Sequence, residues 1–463
     1  MRQHNRRSLR DLTNEAGADP GRFIADASLR LPLETQVRNT GRGDLAGSLR
    51  NQSILISATE QMTAVLALLA LDGVARRILL CPPDLAAAHL PHVISAGEVQ
   101  AVLSDQPPGP DDPRATVRFI TCQPNDLAPP PSDADRVATE WILFTSGTTG
   151  APKMVVHTCE TLVGPVERAR AIGQGAVWST FYDIRRYGGL QMLLRALVGG
   201  GSMVLSNLRE PPGEYLGRAA ANRVTHISGT PSHWRRALMS PAARDIRPRY
   251  VRMSGEVADQ AIIDRLRAFY PDATVAHAFA STEAGVAFDV DDGQAGFPAH
   301  LITEDAPVAL RIEDGSLRIR SSRTAIGYLG DNAPSLPDAD GFVDTGDMIE
   351  QRGDRCFFAG RREGIINVGG LKVHPEEIEA VINRHPEVQM SLVRGRANPI
   401  TGAIVVAEVV RKSTATTGVS DTIKEEILSL CRSAFPPYKV PASIRIVDSL
   451  NVGASGKLAR VLS

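Results

Sequence analysis

Short apolar segments alternate with a helix-length stretch between residues 53 and 105, and this alternation restricts the possible folds more than any other feature. The strand-sized segments are Ile54–Ile56, Ile78–Leu80 and Val102–Leu103, and the longer apolar stretch runs from Met62 to Leu71. A strand, helix, strand repeat is typical of a parallel sheet, in which each crossover covers the sheet with a helix. The sequence therefore predicts an α/β core.

Further α/β units follow this segment. Met192–Leu197 and Ala261–Phe269 have the pattern of helices and Met203–Leu205 that of a strand, so we expect these units to extend the same sheet. After Gly315 the period changes to two in Leu317–Arg320, which is typical of a strand with one exposed face. The expected large unit is α/β, with mixed but mainly parallel sheets and helices.

The last hundred residues carry a different, α+β pattern. Helices are expected at Pro375–Asn383 and at Asp421–Phe435. A chain of 463 residues is longer than one typical domain of roughly 100 to 200 residues, so at least two folded units are expected. We predict a large N-terminal domain over residues 1–360 and a small C-terminal domain over residues 361–463.

Composition argues against several classes of protein. The chain has 43% hydrophobic and 22% charged residues and a formal net charge of -1, so no basic excess favours a nucleic acid partner. Its five cysteines are scattered and form no CxxC pair, which argues against a disulfide framework and a zinc site. No apolar signal region follows the N-terminal arginines, and the Met62–Leu71 stretch is too short to span a membrane. These features predict a cytoplasmic protein without a membrane span.

A glycine- and hydroxyl-rich turn lies between the apolar strand Trp141–Phe144 and Lys153. Glycines let the backbone approach a polyanion closely, hydroxyl groups donate hydrogen bonds and the lysine adds a cation. The residues of this predicted polyphosphate site are Thr145, Ser146, Gly147, Thr148, Thr149, Gly150 and Lys153. The spacing differs from GxxxxGK[ST], so this is no Walker loop, and a polar surface turn is the alternative reading.

The full string TSGTTGAPK resembles the phosphate loop of the acyl-adenylate-forming superfamily, which contains acyl-CoA synthetases, adenylation domains of peptide synthetases and luciferases. The resemblance extends from about Ser53 to Arg460 because further motifs follow in the family's order. It implies a large core domain, a small mobile C-terminal lid, and the use of ATP and Mg²⁺.

Phe279-Ala-Ser-Thr-Glu283 is similar to the family's aromatic-Gly-x-Thr-Glu motif, with Ala280 in place of the common glycine. The resemblance implies that Phe279 stacks on adenine, that Thr282 contacts phosphate and that Glu283 holds Mg²⁺, with Ser281 in the same segment. A hard carboxylate suits Mg²⁺ bound to phosphates. Taken alone, a Thr-Glu pair is more often the start of a helix.

Three other motifs imply nucleotide contacts. Gly255 and Glu256 of Ser254-Gly-Glu256 resemble the turn that lines the adenine pocket. Asp347 closes a segment that looks like the family's TGD motif, in which the carboxylate accepts hydrogen bonds from the ribose hydroxyls. Arg361 stands where the family contacts ribose or phosphate.

Several C-terminal residues resemble motifs of the family's mobile C-terminal domain. Glu363 takes the hinge position, and Gly369 and Gly370 fit a loop beside the pantetheine arm of the acceptor thiol. Lys457 of Gly456-Lys-Leu-Ala-Arg460 matches the terminal catalytic lysine, whose cation stabilises charge developing at the α-phosphate. A terminal lysine is otherwise an ordinary solvated charge.

The acyl pocket is expected between the phosphate loop and the Phe279 motif. Its predicted residues are Tyr182, Asp183, Arg186, Gly188, Gly229 and His277. Arg185 and Arg186 stand where relatives have an aromatic residue or histidine, and a buried arginine could read a second carboxylate or a polar ring substituent. The alternatives are that both arginines face solvent or pair with acids, and that Asp183 meets a substrate amino group.

The resemblance implies two half-reactions. A carboxylic acid attacks the α-phosphate of ATP to give an acyl-adenylate, and the acyl group then passes to a thiol after the lid rotates about Glu363. The leading hypothesis is an acyl- or aryl-CoA ligase that uses coenzyme A. The alternatives are an adenylating enzyme that loads a carrier protein in trans, and a relative that has lost its catalytic activity and only binds nucleotide.

Overall fold

A computed structural model gives the fold, and the structure describes residues 7–17, 19–38, 45–127, 136–145, 152–167, 175–207, 210–330, 333–412, 420–453 and 456–458. The helices are α1 (Leu9–Glu15), α2 (Leu33–Arg38), α3 (Leu45–Ser48), α4 (Gln61–Leu71), α5 (Leu90–Ala96), α6 (Cys159–Glu167), α7 (Tyr187–Val198), α8 (Pro212–Ala221), α9 (Pro231–Ala237), α10 (Gln260–Phe269), α11 (Pro375–Ile382) and α12 (Ser420–Ala434).

The strands of the first half are β1 (Phe23–Ala25), β2 (Arg30–Pro32), β3 (Ser53–Ile56), β4 (Arg77–Leu80), β5 (Ala101–Ser104), β6 (Arg118–Thr121), β7 (Glu140–Thr145), β8 (Lys153–Thr158), β9 (Val177–Thr180), β10 (Ser202–Val204), β11 (His226–Gly229) and β12 (Tyr250–Ser254). Those of the second half are β13 (Thr274–Ser281), β14 (Gly285–Val290), β15 (Phe297–Pro298), β16 (Val308–Glu313), β17 (Ser316–Ser321), β18 (Gly327–Tyr328), β19 (Val343–Arg352), β20 (Arg355–Arg361), β21 (Ile366–Val368), β22 (Leu371–Val373), β23 (Val388–Asn398), β24 (Gly402–Arg411) and β25 (Ser443–Ile446).

The first α/β segment forms a seven-stranded sheet in the order β18-β8-β7-β4-β3-β5-β6. Strands β3, β4, β5, β6 and β7 pair in parallel, whereas β8 and β18 add antiparallel strands at one edge. The apolar segments that predicted strands and the stretch that predicted a helix lie in β3, β4, β5 and α4. The α/β prediction for this segment is confirmed.

The later α/β units form a second sheet, so the expectation that they extend the first sheet is wrong. This eight-stranded sheet has the order β14-β13-β12-β11-β9-β10-β1-β2. The predicted helices and strand at α7, α10 and β10 are present. Local periodicity identifies a strand, but the sheet that it joins depends on contacts distant in sequence.

Helices α4 and α7 share one hydrophobic core with strands of both large sheets. A second core packs α8, α9 and α10 against the eight-stranded sheet. The layers fix the carboxyl ends of β7, β11, β12 and β13 relative to one another, because closely packed helices and strands have little freedom to shift. Most of the predicted nucleotide-site residues follow or end these strands.

The C-terminal residues build a core of their own. It contains side chains from Ile366 to Ile444, contributed by α11, α12 and the strands β21 to β25. The five-stranded sheet β15-β20-β19-β17-β16 lies between this part and the second large sheet in sequence. The predicted α+β pattern with two helices is confirmed.

All five cysteines are buried free thiols. Over the described parts of the chain, no helix has both the length and the apolar character needed to cross a membrane.

Candidate active site

Thr145 and Lys153 are the two flanks of the predicted phosphate loop. Thr145 ends β7, Lys153 begins β8, and the two residues are paired across this antiparallel hairpin. The register therefore fixes where the loop leaves and re-enters the sheet. The predicted loop residues Ser146, Gly147, Thr148, Thr149 and Gly150 lie outside the described residues, and their roles stay predictions.

Glu283, predicted to hold Mg²⁺, lies close to the base of this loop. The hydroxyl of Tyr328 donates a long hydrogen bond of 3.4 Å to Glu283 Oε1, and the ammonium of Lys153 lies 5.4 Å from the Tyr328 ring centroid. Burial, and then the Glu283 charge, raise the pKa of Tyr328 to about 12. The fold thus brings a cation and a carboxylate that are far apart in sequence to the same tyrosine.

His157 contacts the backbone of Thr282, the residue before Glu283. Its Nε2 lies 2.7 Å from the carbonyl oxygen of Thr282, and its Nδ1 lies 2.9 Å from the Thr161 hydroxyl. Burial lowers the pKa of this fully buried imidazole to about 4, so it is neutral at pH 7. The sequence analysis missed His157, although a single histidine within the apolar strand β8 is a visible signal.

Phe279 lies in β13, where the register with β14 shifts between Phe279 and Ala280. Its ring stacks on Phe358 with a centroid distance of 4.9 Å and an interplanar angle of 13°. Part of the residue remains exposed, as do Ala280 and Ser281. The plane of the Phe279 ring is therefore fixed by packing while some of its surface stays open to a ligand.

Asp347 and Arg361 face each other across the paired strands β19 and β20. Arg361 Nη2 donates to the carbonyl of Thr345 at 2.9 Å, and the Asp347 amide donates to the Thr345 hydroxyl at 3.1 Å. Burial raises the pKa of Asp347, while the charges of Arg361 and Lys457 act to lower it. The carboxylate predicted to bind ribose thus lies among cations from both ends of the C-terminal segment.

The segment that carries Lys457 is docked against the large domain. The Thr230 hydroxyl donates to the carbonyl of Gly456 at 2.6 Å, and the amide of Leu458 donates to Glu256 Oε1 at 2.9 Å. A Cβ placed on Gly255 would lie 3.4 Å from Lys457 Cε. The fold therefore brings Lys457 to Gly255, the turn predicted to line the adenine pocket.

The ammonium of Lys457 has charged neighbours of both signs. Desolvation by the surrounding protein lowers the pKa of Lys457, and the positive charges of Arg361 and Arg186 lower it further. The negative charges of Glu256 and Asp347 act to raise it. The residue is nevertheless exposed to solvent. An exposed cation with Asp347 and Arg361 nearby suits a site for a polyanionic ligand.

Two of the predicted acyl-pocket residues, Gly188 and Gly229, lie against aromatic rings. The Tyr182 hydroxyl donates to the carbonyl of Ser254 at 2.6 Å, and a Cβ on Gly188 would lie 3.5 Å from the Tyr182 ring. A Cβ on Gly229 would lie 2.7 Å from the Phe181 ring, so only glycine fits there without a shift. His277 lies on the neighbouring strand β13, with Nε2 at 3.0 Å from the carbonyl of Gln294.

Arg185 and Asp183 form a buried ion pair. Arg185 Nε lies 2.7 Å from Asp183 Oδ1, and Arg185 Nη2 lies 2.6 Å from Asp183 Oδ2. Both carboxylate oxygens of Asp183 are therefore engaged, which does not support a contact with a substrate amino group. Arg186 pairs with Asp84, so each arginine has an acidic partner, as the alternative reading proposed.

The predicted hinge and acceptor loop lie on exposed backbone. Glu363 follows the last residues of β20 and faces solvent. Gly369 and Gly370 form the turn between β21 and β22 with φ of 59° and 88°, a region that favours glycine. The Gly369 amide donates to the carbonyl of Thr401 at 2.8 Å, and the Gly370 amide donates to Asn367 Oδ1 at 2.9 Å. These two hydrogen bonds stabilise the turn.

Among the described residues, neither Gly369 nor Gly370 is hydrogen-bonded to Lys457 or to another residue of the predicted nucleotide site. Gly369 and Gly370 are both exposed, and a Cβ on either glycine would have no described atom within 4 Å beyond its chain neighbours. The role of Gly369 and Gly370 as the acceptor-thiol loop stays a prediction.

No group of three or more histidine, cysteine or acidic side chains suited to hold a metal ion occurs among the residues that the structure describes. Mg²⁺ commonly binds through one or two carboxylates together with substrate phosphates and water. Glu283, which lies near Lys153 at the edge of the phosphate loop, fits a site in which one carboxylate and the substrate phosphates bind Mg²⁺.

Residues 44–329 match the sequence profile of the AMP-binding enzyme family, and residues 377–457 match that of the AMP-binding enzyme C-terminal domain. Novobiocin biosynthesis protein H of Streptomyces niveus is 26% identical, over 98% of this chain and 75% of its own length. A 2-succinylbenzoate–CoA ligase of Geobacillus sp. strain WCH70 is 28% identical, over 70% of this chain and 68% of its own length.

Among solved structures, a benzoate CoA ligase from Burkholderia xenovorans LB400 has a TM-score of 0.81 at 20% identity. The match covers 98% of this chain and 99% of that chain. At this level of identity the likeness shows that the two chains share a fold.

Proposed function

This chain belongs to the AMP-binding enzyme family, and from that premise we propose that it is an AMP-forming ligase that joins a carboxylic acid to coenzyme A. The observation that carries the proposal is the position of Lys457, docked at Gly255 and close to Asp347 and Arg361. A phosphate loop alone would fit many uses of ATP. A lysine brought from residue 457 to Gly255, Asp347 and Arg361 fits the formation of an acyl-adenylate.

In the first half-reaction a carboxylate oxygen attacks the α-phosphorus of ATP, and the bond to the leaving pyrophosphate breaks. Lys457 is positioned to neutralise the charge that develops there, and Asp347 to accept hydrogen bonds from the ribose hydroxyls. Glu283 would hold Mg²⁺, which screens the charge of the phosphates. Thr282, whose carbonyl is held by His157, directly precedes Glu283 and would contact a phosphate.

In the second half-reaction the thiol sulfur attacks the acyl carbon and AMP leaves. We propose that residues 361–463 form the lid and that it rotates about Glu363, so that the turn at Gly369 and Gly370 replaces Lys457. The relatives named as CoA ligases support coenzyme A as the acceptor. A carrier protein that supplies its own thiol is the alternative.

The cellular location follows from the substrates and the thiols. Five buried free cysteines fit a reducing compartment, and ATP and coenzyme A are supplied there. We therefore propose a cytoplasmic enzyme.

Carboxylate-dependent exchange of pyrophosphate into ATP tests adenylation directly. We expect exchange with at least one member of a broad panel of aliphatic and aromatic acids, and a loss of roughly 100-fold or more in Lys457→Ala. Lys424→Ala, on α12 of the same domain, is the matched control and should retain exchange. Absence of exchange across the panel, or equal rates in Lys457→Ala and wild type, would contradict the proposal.

Adding a thiol to the active acid separates the remaining alternatives. Rapid formation of an acyl-CoA supports the CoA ligase, and transfer only to a phosphopantetheinylated carrier protein supports the alternative. Nucleotide binding without any exchange would identify a relative that has lost its catalytic activity.

A further inference from the structure

Glu256 links the large domain to the Lys457 segment. It follows Gly255, which has a φ of 85° at the end of β12 and so turns the chain toward this segment. Glu256 Oε2 accepts a hydrogen bond from the amide of Ser232 at 2.9 Å, and Oε1 accepts one from the amide of Leu458 at 2.9 Å. One carboxylate therefore joins helix α9 to the residue that follows Lys457.

The Lys457 segment is held on both sides of the lysine. The Leu458 amide bonds to Glu256 on one side, and the Gly456 carbonyl accepts the Thr230 hydroxyl at 2.6 Å on the other. Gly456 has a φ of 76°, and a Cβ there would lie 1.8 Å from the His233 ring. These contacts fix the backbone of Lys457 and therefore the direction in which its side chain leaves.

The two contacts differ in strength. A hydrogen bond from an amide to an ionised carboxylate contributes more than one between neutral groups. The Thr230 bond joins a neutral hydroxyl to a neutral carbonyl. Glu256 is thus the stronger of the two anchors that hold the Lys457 segment.

We propose that Glu256 is a positioning residue that holds Lys457 in place for adenylation and releases it for thioester formation. The proposal rests on the proposed function and assigns Glu256 a role other than lining the adenine pocket. Because both of its oxygens accept backbone amides, its carboxylate is already engaged before any nucleotide binds. When the lid rotates, the Leu458 bond must break, so Glu256 favours the first half-reaction alone.

The proposal separates the two half-reactions. Glu256→Ala should lower the rate of acyl-adenylate formation by about 10- to 100-fold, the fold-change that corresponds to a lost charged hydrogen bond. Formation of the thioester from chemically prepared acyl-adenylate and coenzyme A should stay within about twofold of wild type or rise, since this step needs the segment undocked. Glu256→Gln keeps one acceptor oxygen, and an intermediate adenylation rate is expected.

Cleavage by a lysine-specific protease gives a readout that needs no substrate. A protease must draw the backbone around Lys457 into an extended form, and this requires the Leu458 and Gly456 contacts to open. Cleavage after Lys457, followed by mass spectrometry, should be several-fold faster in Glu256→Ala than in wild type. Glu214→Gln, an exposed position on α8, is the matched control and should behave like wild type in every assay.

These outcomes distinguish the positioning role from the proposed function. Wild-type protein that makes no acyl-adenylate overturns the proposed function, whereas the cleavage rates still test whether Glu256 docks the segment. Equal losses in both half-reactions, or unchanged adenylation together with unchanged cleavage after Lys457, overturn the positioning role. If Glu256→Ala fails to fold, the same comparisons in Glu256→Gln decide the question.

Discussion

The Nε2 atom of His157 lies 2.7 Å from the carbonyl oxygen of Thr282 and so joins the two large sheets. His157 belongs to β8 of the seven-stranded sheet, and Thr282 directly follows β13 of the eight-stranded sheet. The contact helps to fix the segment that carries Thr282 and Glu283, and Glu283 contacts Tyr328 beside Lys153 at the start of β8. Its loss should therefore reduce both stability and catalysis.

Replacing His157 by alanine removes a buried ring and leaves the Thr282 carbonyl without this partner. We expect the free energy of unfolding to fall by about 2–4 kcal/mol, which combines a cavity with a lost hydrogen bond. Adenylation should slow by more than tenfold with a smaller change in KM for the acid. Urea unfolding and pyrophosphate exchange measure the two effects. His92→Ala, at an exposed position, is the control, and a His157 variant that matches it would refute the structural role.

The same histidine makes stability depend on pH. Its pKa of about 4 in the folded protein lies below the ordinary value of 6.5, so the unfolded chain binds more protons between these values. Stability is then fully present above pH 6.5 and is lost as the pH falls toward 4, by roughly 3 kcal/mol from this group. Urea unfolding at several pH values should show a shallower fall in His157→Gln than in wild type. Equal slopes would contradict the burial of a neutral imidazole.

The Asp183–Arg185 pair should stabilise the fold and leave acid selection unaffected. Removing one partner of a buried ion pair costs about 3–5 kcal/mol, so Asp183→Asn should lower the free energy of unfolding strongly. The pair Arg352–Glu350 offers a control, since these side chains are 59% and 52% exposed and an exposed pair contributes about 1 kcal/mol or less. Asp183→Asn should keep the wild-type order of preference among acids. A changed order with unchanged stability would instead place Asp183 in contact with substrate.

Gly456→Ala should act on adenylation alone. Its φ of 76° and the 1.8 Å approach of a Cβ to His233 leave no room for a methyl group, so the Lys457 segment must shift. We expect adenylation to fall at least tenfold, with thioester formation from acyl-adenylate near the wild-type rate. Gly217→Ala is the control because a Cβ there meets nothing within 4 Å. Normal adenylation in Gly456→Ala would show that the docked arrangement is not needed.

Asp347→Asn should weaken nucleotide binding. An amide in place of the carboxylate loses the charge and one acceptor site for the ribose hydroxyls. We expect KM for ATP to rise about tenfold, with a smaller effect on KM for the acid. Steady-state exchange kinetics measure both constants, and Asp340→Asn, whose side chain is 67% exposed, is the control. An unchanged KM for ATP would show that Asp347 does not bind the ribose.

The sequence predicted the elements of the fold because strands such as β3 and helices such as α4 leave a local pattern. It could not predict that the later strands form a second sheet, since that pairing depends on residues distant in sequence. Motif order predicted Lys457, Glu283 and Asp347 as site residues. His157 was missed because a buried histidine in an apolar strand is usually a core residue. Only its contact with the Thr282 carbonyl shows that it supports a predicted site residue.

The sequence also did not indicate which partners the charged residues have. Nothing in the local sequence indicates that Glu256 accepts the Leu458 amide across 202 positions of chain, or that Arg186 pairs with Asp84. Such contacts depend on how the C-terminal residues meet the rest of the chain and on how loops pack. The substrate acid is unspecified for the same reason, because the pocket side chains are assembled from several strands.

The fate of an ¹⁸O label tests the central claim most directly. If a carboxylate oxygen attacks the α-phosphorus of ATP, acid labelled with ¹⁸O in its carboxyl group transfers one labelled oxygen to AMP in each turnover that ends in a thioester. Mass spectrometry of the products should find the label in AMP and none in pyrophosphate. Label in pyrophosphate or orthophosphate, or unlabelled AMP from an acid that is consumed, would contradict an acyl-adenylate mechanism.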